Sequence, residues 1–515
     1  MGRISRMNAG AAPRGRDSDG RPPDVLLIVL DCVRADLFDA ELERPGAMPF
    51  LRALRPEVMA FTGAVSPSSW TIPGHASLFT GLYPWDHGAH YRNGPILTQD
   101  PETLAECLAR SGYATALYSA NAYVQAATGL TRGFSVSSWG GRREFFLRFL
   151  STGKPTCPNL GGPALAWAPP VKTGSPPEPL RELAMDAVTW LPPVWDGLNR
   201  AGGKLLGTYS TAMPEICPWI EPELDAWLSR QPAERPVFAF VNLLEAHEPY
   251  LAGAGEPVGP GKWLSYARSG QHPVRWIRGE WTPTAKEVDG MRSSYVASLH
   301  TIDRRIRAIV ETFARHHRWD DAVFVLTSDH GQAFLEHDTL FHRFRVDEPI
   351  SRIPLWMRFP RGEPRGVFSD GWVSLVDVPK TLVSFVGRDV FGDPSARTLL
   401  RPGEIDPARI VYSMTDGIAA KEVPGISAER LRFLDRFEIA AYQGDRKAVT
   451  GEAGNARAFQ VQRPCREIRP PAHPRADEAQ ETVKAARAAV ELALARIASR
   501  PYHGSVERRI AGWGY

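Results

Sequence analysis

The sequence has no excess of charge of one sign: 61 Lys and Arg face 58 Asp and Glu, a formal net charge of +3. A balance this close to zero leaves no electrostatic footprint for nucleic acid or an anionic membrane surface. Long apolar runs are also missing. The run at 25–30 falls far short of the ~18 apolar residues that span a bilayer, so no transmembrane segment is predicted. Cysteine is scarce. Cys32, Cys107, Cys157, Cys217 and Cys465 are scattered, odd in number and never arranged as CxxC. This argues against a disulfide scaffold or a zinc ribbon and points to reduced thiols in the cytoplasm. Residues 1–23 lack the apolar core of a signal peptide. Their Gly, Arg, Ser and Pro content predicts a disordered arm.

The rest is ordinary globular composition, 43% hydrophobic and 23% charged. At 515 residues the chain exceeds one average domain, which predicts a large domain and a smaller one. Three apolar runs of strand length stand out, at 24–31, 236–244 and 322–328. Each stops at acidic or imidazole residues: Asp31, then Glu245 and His247, then Asp329 and His330. A fourth strand is expected at 113–119, and helices at 101–111 and 296–313. The predicted class is α/β, a large and mostly parallel central sheet flanked by helices, in which ligands gather beyond the carboxyl ends of the strands. The expected organisation is a catalytic domain at 24–400 and a smaller C-terminal α+β subdomain at 401–515. A Trp- and Pro-rich insertion interrupts the first at about 135–235. The subdomain has strands near 438–442 and 446–449 and a late helix over 477–499.

The densest chemical signal is Ser66 to Gly81, read SPSSWTIPGHASLFTG. Thr71 sits four residues before His75, on a turn that feeds a helix N-terminus, where backbone N–H groups favour an anion. Taken alone, this segment reads as a helix cap. An alcohol becomes a nucleophile at neutral pH when a divalent metal acidifies it, as bound zinc takes water from about 15.7 to about 7. Asp31, Asp329 and His330 at strand ends supply the remaining donors for such a cation.

With these motifs in place, the sequence resembles the sulfatase-like branch of the alkaline phosphatase/sulfatase superfamily. The resemblance rests on LIVLDCVRAD at 27–36, SSWTIPGHASLFTGLYP at 68–84, FVNLLEAHEPY at 240–250 and LTSDHGQ at 326–332. IPLWMRFP at 353–360 and LVDVPKTL at 375–382 add to it. It implies an alkaline-phosphatase-like fold and one divalent metal held by Asp31, Thr71, Asp329 and His330. Mn²⁺, Zn²⁺ and Mg²⁺ suit that donor set, and Ca²⁺ is compatible with its oxygens. Thr71 falls where sulfatases carry the cysteine that becomes formylglycine, and His75 where they carry the arginine of that motif. His247 and His342 fall where the family contacts the transferred anionic group.

Threonine at 71 rules out the aldehyde hydrate, and Cys32 and His330 replace a usual aspartate and asparagine. The combination resembles the threonine-nucleophile members, whose chemistry is phosphoryl transfer. The expected activity is cleavage of a small anionic phosphate ester, monoester or diester, through Thr71. His342 is expected as the acid for the leaving group and His247 as the oxyanion contact. The alternatives are a sulfate ester hydrolase working without formylglycine and a non-catalytic binding protein. As a second metal site Glu245, His247 and His342 lack the Asp-x-x-x-His spacing of bimetallic phosphodiesterases, so a single metal is expected. Arg34 and Asp36 read as an ion pair, His337 and Asp338 as a solvated loop, and His87 and His90 as surface residues. His300 reads as a packed or half-exposed helix residue. The sequence carries no sign of the oligomeric state.

Overall fold

β1 (Val25–Leu30) is a strand because six consecutive apolar residues can be covered on both faces of a sheet, and all six are fully buried. Their alternation sorts them: Leu26, Ile28 and Leu30 enter one apolar layer, and Val25, Leu27 and Val29 the other. The computed structural model describes residues 21–121, 123–139, 217, 219–248, 250, 272–360, 364–388, 390–418, 426–461 and 480–500. The arm predicted at 1–23 and the insertion predicted at 135–235 therefore lie largely outside the described residues.

The same sheet contains β2 (Met59–Phe61), β3 (Ala114–Ser119), β4 (Val136–Trp139), β5 (Val237–Leu243), β6 (Val323–Thr327), β7 (Leu355–Arg358) and β8 (Gly366–Phe368). The order across it is β8-β2-β7-β6-β1-β5-β3-β4. β1, β3, β4, β5 and β6 are mutually parallel, whereas β7 runs antiparallel to both β6 and β2. The sheet is therefore mixed, with a parallel centre. Helices cover both faces. Ala35–Glu43, Ile220–Leu228 and Ala285–Arg315 pack Phe38, Trp227 and Ile302 on one. Thr71–Thr80, Leu104–Arg110 and Asp377–Ser384 pack Phe79, Leu108 and Leu382 on the other.

The helix expected at 296–313 begins earlier, at Ala285, and its first turns pack Val288, Met291 and Tyr295, spaced three and four apart, on the core. Its start is marked by a capping box, with Thr284 and Glu287 satisfying each other's backbone N–H groups. A second capping box, Thr103 and Glu106, starts the helix predicted at 101–111. The smaller C-terminal unit is an antiparallel sheet of β9 (Val411–Asp416), β10 (Phe437–Gln443), β11 (Arg446–Gly451) and β12 (Arg457–Gln460). Helix Gln480–Ala498 lies on it, its Ala486 against Ala441 and Ala448.

That helix explains one correction. His87 and His90, expected at the surface, are buried, with 1% and 0% exposure. Chain far away in sequence covers them: Arg500 reaches the Asp86 carbonyl and Asn93 donates to the carbonyl of Ile497. Burial, with the nearby His90 and Arg500 charges, pushes His87 well below the usual histidine range. The Arg34–Asp36 ion pair forms as expected, at 2.7 Å, and His337 and Asp338 are exposed.

Asp39, half-buried on Ala35–Glu43, gives a pH prediction. Burial raises its carboxyl to about 6, against the pull of Arg55 and Arg352. The folded protein then binds this proton more tightly than the unfolded chain, so stability falls as pH rises through that window and the cost is fully present above it. Asp39→Asn is expected to stabilise the protein by roughly 1–2 kcal/mol at pH 7 and by nothing below about pH 4, in urea titrations at the two pH values.

Candidate active site

Four adjacent strands deliver polar residues at their carboxyl ends, as parallel sheets do. β1 ends in Asp31 and Cys32, and β6 leads into Ser328, Asp329, His330 and Gly331. β5 contributes Asn242 and, just beyond, His247 and Glu248, while β3 leads to Asn121. Ser328 clamps the first two ends together: its hydroxyl donates to the Leu30 carbonyl and accepts from the Val33 N–H at 2.9 Å. Gly331 is required by close approach, because a Cβ there would lie 2.0 Å from the Pro349 carbonyl oxygen.

Thr71 opens the helix Thr71–Thr80 and is 2% exposed. Its Oγ1 lies 3.4 Å from His330 Nε2 and 3.4 Å from Asn121 Nδ2. Asn121 Nδ2 also donates to Asp31 Oδ2 at 2.7 Å, which ties the hydroxyl to the first carboxylate. Gly74 lets the helix reach Asp329, whose carbonyl oxygen would be 2.9 Å from a Cβ at that position. The C-terminal sheet supports this segment from behind. Ser69 donates its N–H to the Met414 carbonyl, and the Trp70 indole donates to Asp416 Oδ1 at 3.0 Å.

The carboxylates are buried and close. Burial, then the neighbouring Asp329, raises Asp31, partly offset by His247, His330 and His75. Burial opposes ionisation of Asp329 too, but His330 and His75 outweigh it and hold that carboxyl below the usual range. Its Oδ2 is buried without a hydrogen bond, with His330 Nε2 at 3.3 Å and His75 Nδ1 at 3.4 Å. A buried carboxylate oxygen in that state, beside a second carboxylate, a hydroxyl and an imidazole, fits a divalent cation. His330 Nδ1 donates to the Gly331 carbonyl at 3.0 Å, which leaves Nε2 with the lone pair a ligand needs.

Asp31, Thr71, Asp329 and His330 are thus brought together. His75, expected to face the anion, has no exposure and lies behind the site. Its Nδ1 donates to the Thr71 carbonyl at 3.0 Å and its ring packs against Phe79 and Phe240. His247 and His342 sit beside the cluster with ring centres 5.2 Å apart. Burial, with His330, His247 and Arg343 nearby, holds His342 well below the usual histidine range, so it is neutral at pH 7. Glu245 is apart from this group, facing Arg305 at 3.8 Å and Cys217 at 3.6 Å. Glu248 is the carboxylate that lies beside His247 and His342. Asn121, Asn242, Glu248 and Gln332 were missed, although each lies within a few residues of a strand's carboxyl end, the signal that could have found them.

A hydroxyl at a helix start faces paired carboxylates and imidazoles at the mouth of an α/β sheet, an arrangement chemically suited to hydrolysing ester bonds. The profile of the family described as Sulfatase matches residues 23–145 and 220–387, more than half of the chain. The chain belongs to the Sulfatase family. It is 25% identical over 418 residues to the multifunctional alkaline phosphatase superfamily protein PehA of Trinickia caryophylli, covering 73% of this chain and 76% of that protein. It is 23% identical over 398 residues to arylsulfatase K of Xenopus laevis, covering 72% of this chain and 65% of the relative, just under two thirds. Among solved structures it is similar to the phosphonate monoester hydrolase of Agrobacterium radiobacter, with a TM-score of 0.63 and 19% identity over 92% of this chain and 96% of that one. No helix among the described residues is long and apolar enough to cross a membrane.

Proposed function

We propose that this family member cleaves a small anionic phosphate ester, with Thr71 as the nucleophile. One observation carries the reading: Thr71 Oγ1 sits within 3.4 Å of both His330 Nε2 and the Asn121 amide that holds Asp31. Asp31, Thr71, Asp329 and His330 would hold one divalent cation, Mn²⁺, Zn²⁺ or Mg²⁺, which when bound supplies charge neutralisation and acidifies the hydroxyl.

Thr71 Oγ1 attacks phosphorus, the P–O bond to the leaving alcohol breaks, and the threonine proton ends on the departing oxygen. Water or an acceptor alcohol then attacks phosphorus, the P–Oγ1 bond breaks, and its proton returns to the Thr71 oxygen as the phosphoryl product leaves. His247 contacts a phosphoryl oxygen, and neutral His342 contacts the leaving-group side. His75 is a positioning residue. It holds a proton above the usual histidine range, against the cost of burial, because Asp329 and Asp31 face it, and it fixes the Thr71 carbonyl beneath the hydroxyl. The described cysteines Cys32, Cys107 and Cys217 are buried and unpaired, which supports a cytoplasmic setting. We assign 24–400 to the catalytic domain and 401–515 to the smaller unit.

A sulfate ester is the second reading, favoured by the likeness to arylsulfatase K. The expected result is turnover of aryl phosphate monoesters or diesters in Mn²⁺, at least about tenfold above the matching aryl sulfate, with label from the phosphoryl group recovered on a peptide containing Thr71. Label on a peptide without Thr71, or a preference for the sulfate, would overturn the assignment.

A further inference from the structure

Thr71 stands at a helix start that no capping side chain holds. The residue before it is Trp70, which makes no capping bond. The open groups at a helix start are N–H donors, and an indole offers only another donor. Placing the first turn, and with it the Thr71 hydroxyl, falls to contacts from elsewhere in the chain. Residues 67–69 lie along β9, the edge strand of the C-terminal sheet. Met414 donates its N–H to the Pro67 carbonyl at 2.9 Å and accepts from the Ser69 N–H at 3.2 Å. Two residues on, Asp416 ends β9 and takes the Trp70 side chain. Asp416 is buried and uses both oxygens: Oδ1 accepts from Trp70 Nε1 at 3.0 Å, and Oδ2 accepts from the Tyr91 N–H. The Trp70 and Tyr91 rings stack with centroids 4.5 Å apart, so one carboxylate fixes both members of an aromatic pair. The same strand reaches the other side of the site. The Thr415 hydroxyl donates to the Arg343 carbonyl, which also accepts from Ser69 Oγ at 2.8 Å. The Arg343 N–H donates to the Ser69 carbonyl at 2.8 Å. Arg343 follows His342 directly, so β9 spaces the Thr71 segment against the His342 segment.

We infer that Asp416 is a positioning residue for the reaction, holding the Thr71 hydroxyl in its attack geometry through Trp70. It acts from 346 residues beyond Trp70 in the chain. The inference rests on the reading of Thr71 as the nucleophile in the proposed function. Trp70 and Thr71 are consecutive. The first is tied to a buried carboxylate by a hydrogen bond of the strong, charge-assisted kind. The second makes contacts of its own only at 3.4 Å, to His330 and Asn121, longer than the 2.7–3.2 Å of a well-formed bond. The oxygen is therefore placed by its backbone, and the backbone by Trp70 and the bridge to Met414. Misplacing a reacting atom by about 1 Å costs on the order of 10²-fold in rate, which is the effect that loss of this anchor produces.

Single-turnover kinetics of the full chain separates positioning from folding. The probe is para-nitrophenyl phosphate in Mn²⁺, or para-nitrophenyl sulfate if the wild type prefers it, with the protein in excess and its concentration varied. Misfolded molecules raise the concentration that gives half the maximal rate and leave the plateau rate constant unchanged, whereas a displaced hydroxyl lowers the plateau. Asp416→Ala is expected to lower the plateau by about 10²-fold and to move the midpoint by less than about threefold. Asp416→Asn keeps an acceptor for Trp70 and is expected to restore the plateau to within about tenfold of wild type. Trp70→Phe keeps the stacked ring, loses the indole N–H and is expected to lower the plateau about tenfold. Because the two residues act as one unit, the double variant Asp416→Ala, Trp70→Phe is expected within about threefold of Asp416→Ala alone. A plateau within about threefold of wild type in Asp416→Ala, or single losses that multiply in the double variant, would overturn the positioning role. The labelled peptide of the wild type reports on the nucleophile separately. Label away from Thr71 overturns the proposed function, and label on Thr71 with an unchanged Asp416→Ala plateau overturns this inference alone.

Discussion

Thr71→Ala is expected to lower kcat/KM by about 10⁴- to 10⁶-fold while the protein stays folded. The argument is local. The hydroxyl is the only group at the helix start that combines a nucleophilic oxygen with contacts to both His330 and Asn121, each at 3.4 Å. Removing one oxygen leaves the carboxylates, the imidazoles and the helix N-terminus in place, so substrate still binds and residual turnover falls to what positioning alone supplies. Contacts of that length contribute little to stability, roughly 0.5–1.5 kcal/mol at most for a typical hydrogen bond, so unfolding curves of the variant should nearly overlay those of the parent. Thr71→Ser keeps the oxygen and should retain measurable labelling. Steady-state kinetics on the best ester from the panel decides the matter: loss of less than about tenfold in Thr71→Ala would exclude the hydroxyl as nucleophile.

Arg34→Ala is expected to destabilise the protein by about 2–4 kcal/mol, the largest stability effect of any single change proposed for the described residues. Arg34 is 1% exposed and spends its fork on two partly exposed carboxylates and a buried carbonyl. Nε and Nη2 hold Asp36 at 2.8 and 2.7 Å, and Nη1 holds Glu336 at 2.7 Å and the Gln332 carbonyl at 3.1 Å. Truncation strands two carboxylates that Arg34 neutralises. It also frees the 335–343 loop, in which Leu335, His337, Asp338, Phe341 and Arg343 all have left-handed φ values. Such a conformation persists only where surrounding contacts over-determine it. His342 sits inside this loop, so activity should fall along with stability. Arg34→Lys, which keeps the charge and loses the fork, should fall between the two. A urea midpoint shift at constant m-value measures the effect, and a loss below about 1 kcal/mol would show that the loop is held by other contacts.

The sequence alone determined the sheet and the order of its chemistry. Runs such as Val25–Leu30 and Val323–Leu326 are apolar at every position, and a strand covered on both faces accommodates that. Polar residues that end such runs fall at the carboxyl edge of a parallel sheet, so Asp31, Asp329 and His330 were legible, as was Thr71 from its position at a helix start. What crosses the chain was not legible. The His87–His90 segment reads as exposed until the C-terminal helix, some 400 residues later, is folded over it. The same holds for Glu248, which no motif in the sequence singles out. One residue beyond His247 on the chain, the Glu248 side chain points toward Cys32 and His342, whereas Glu245 turns back to Arg305. Local pattern fixes which residues reach the rim of the sheet, because burial of the strands is a local property. Which of them face one another is set by the turns after the strands and by packing between distant segments, and only the folded chain decides it.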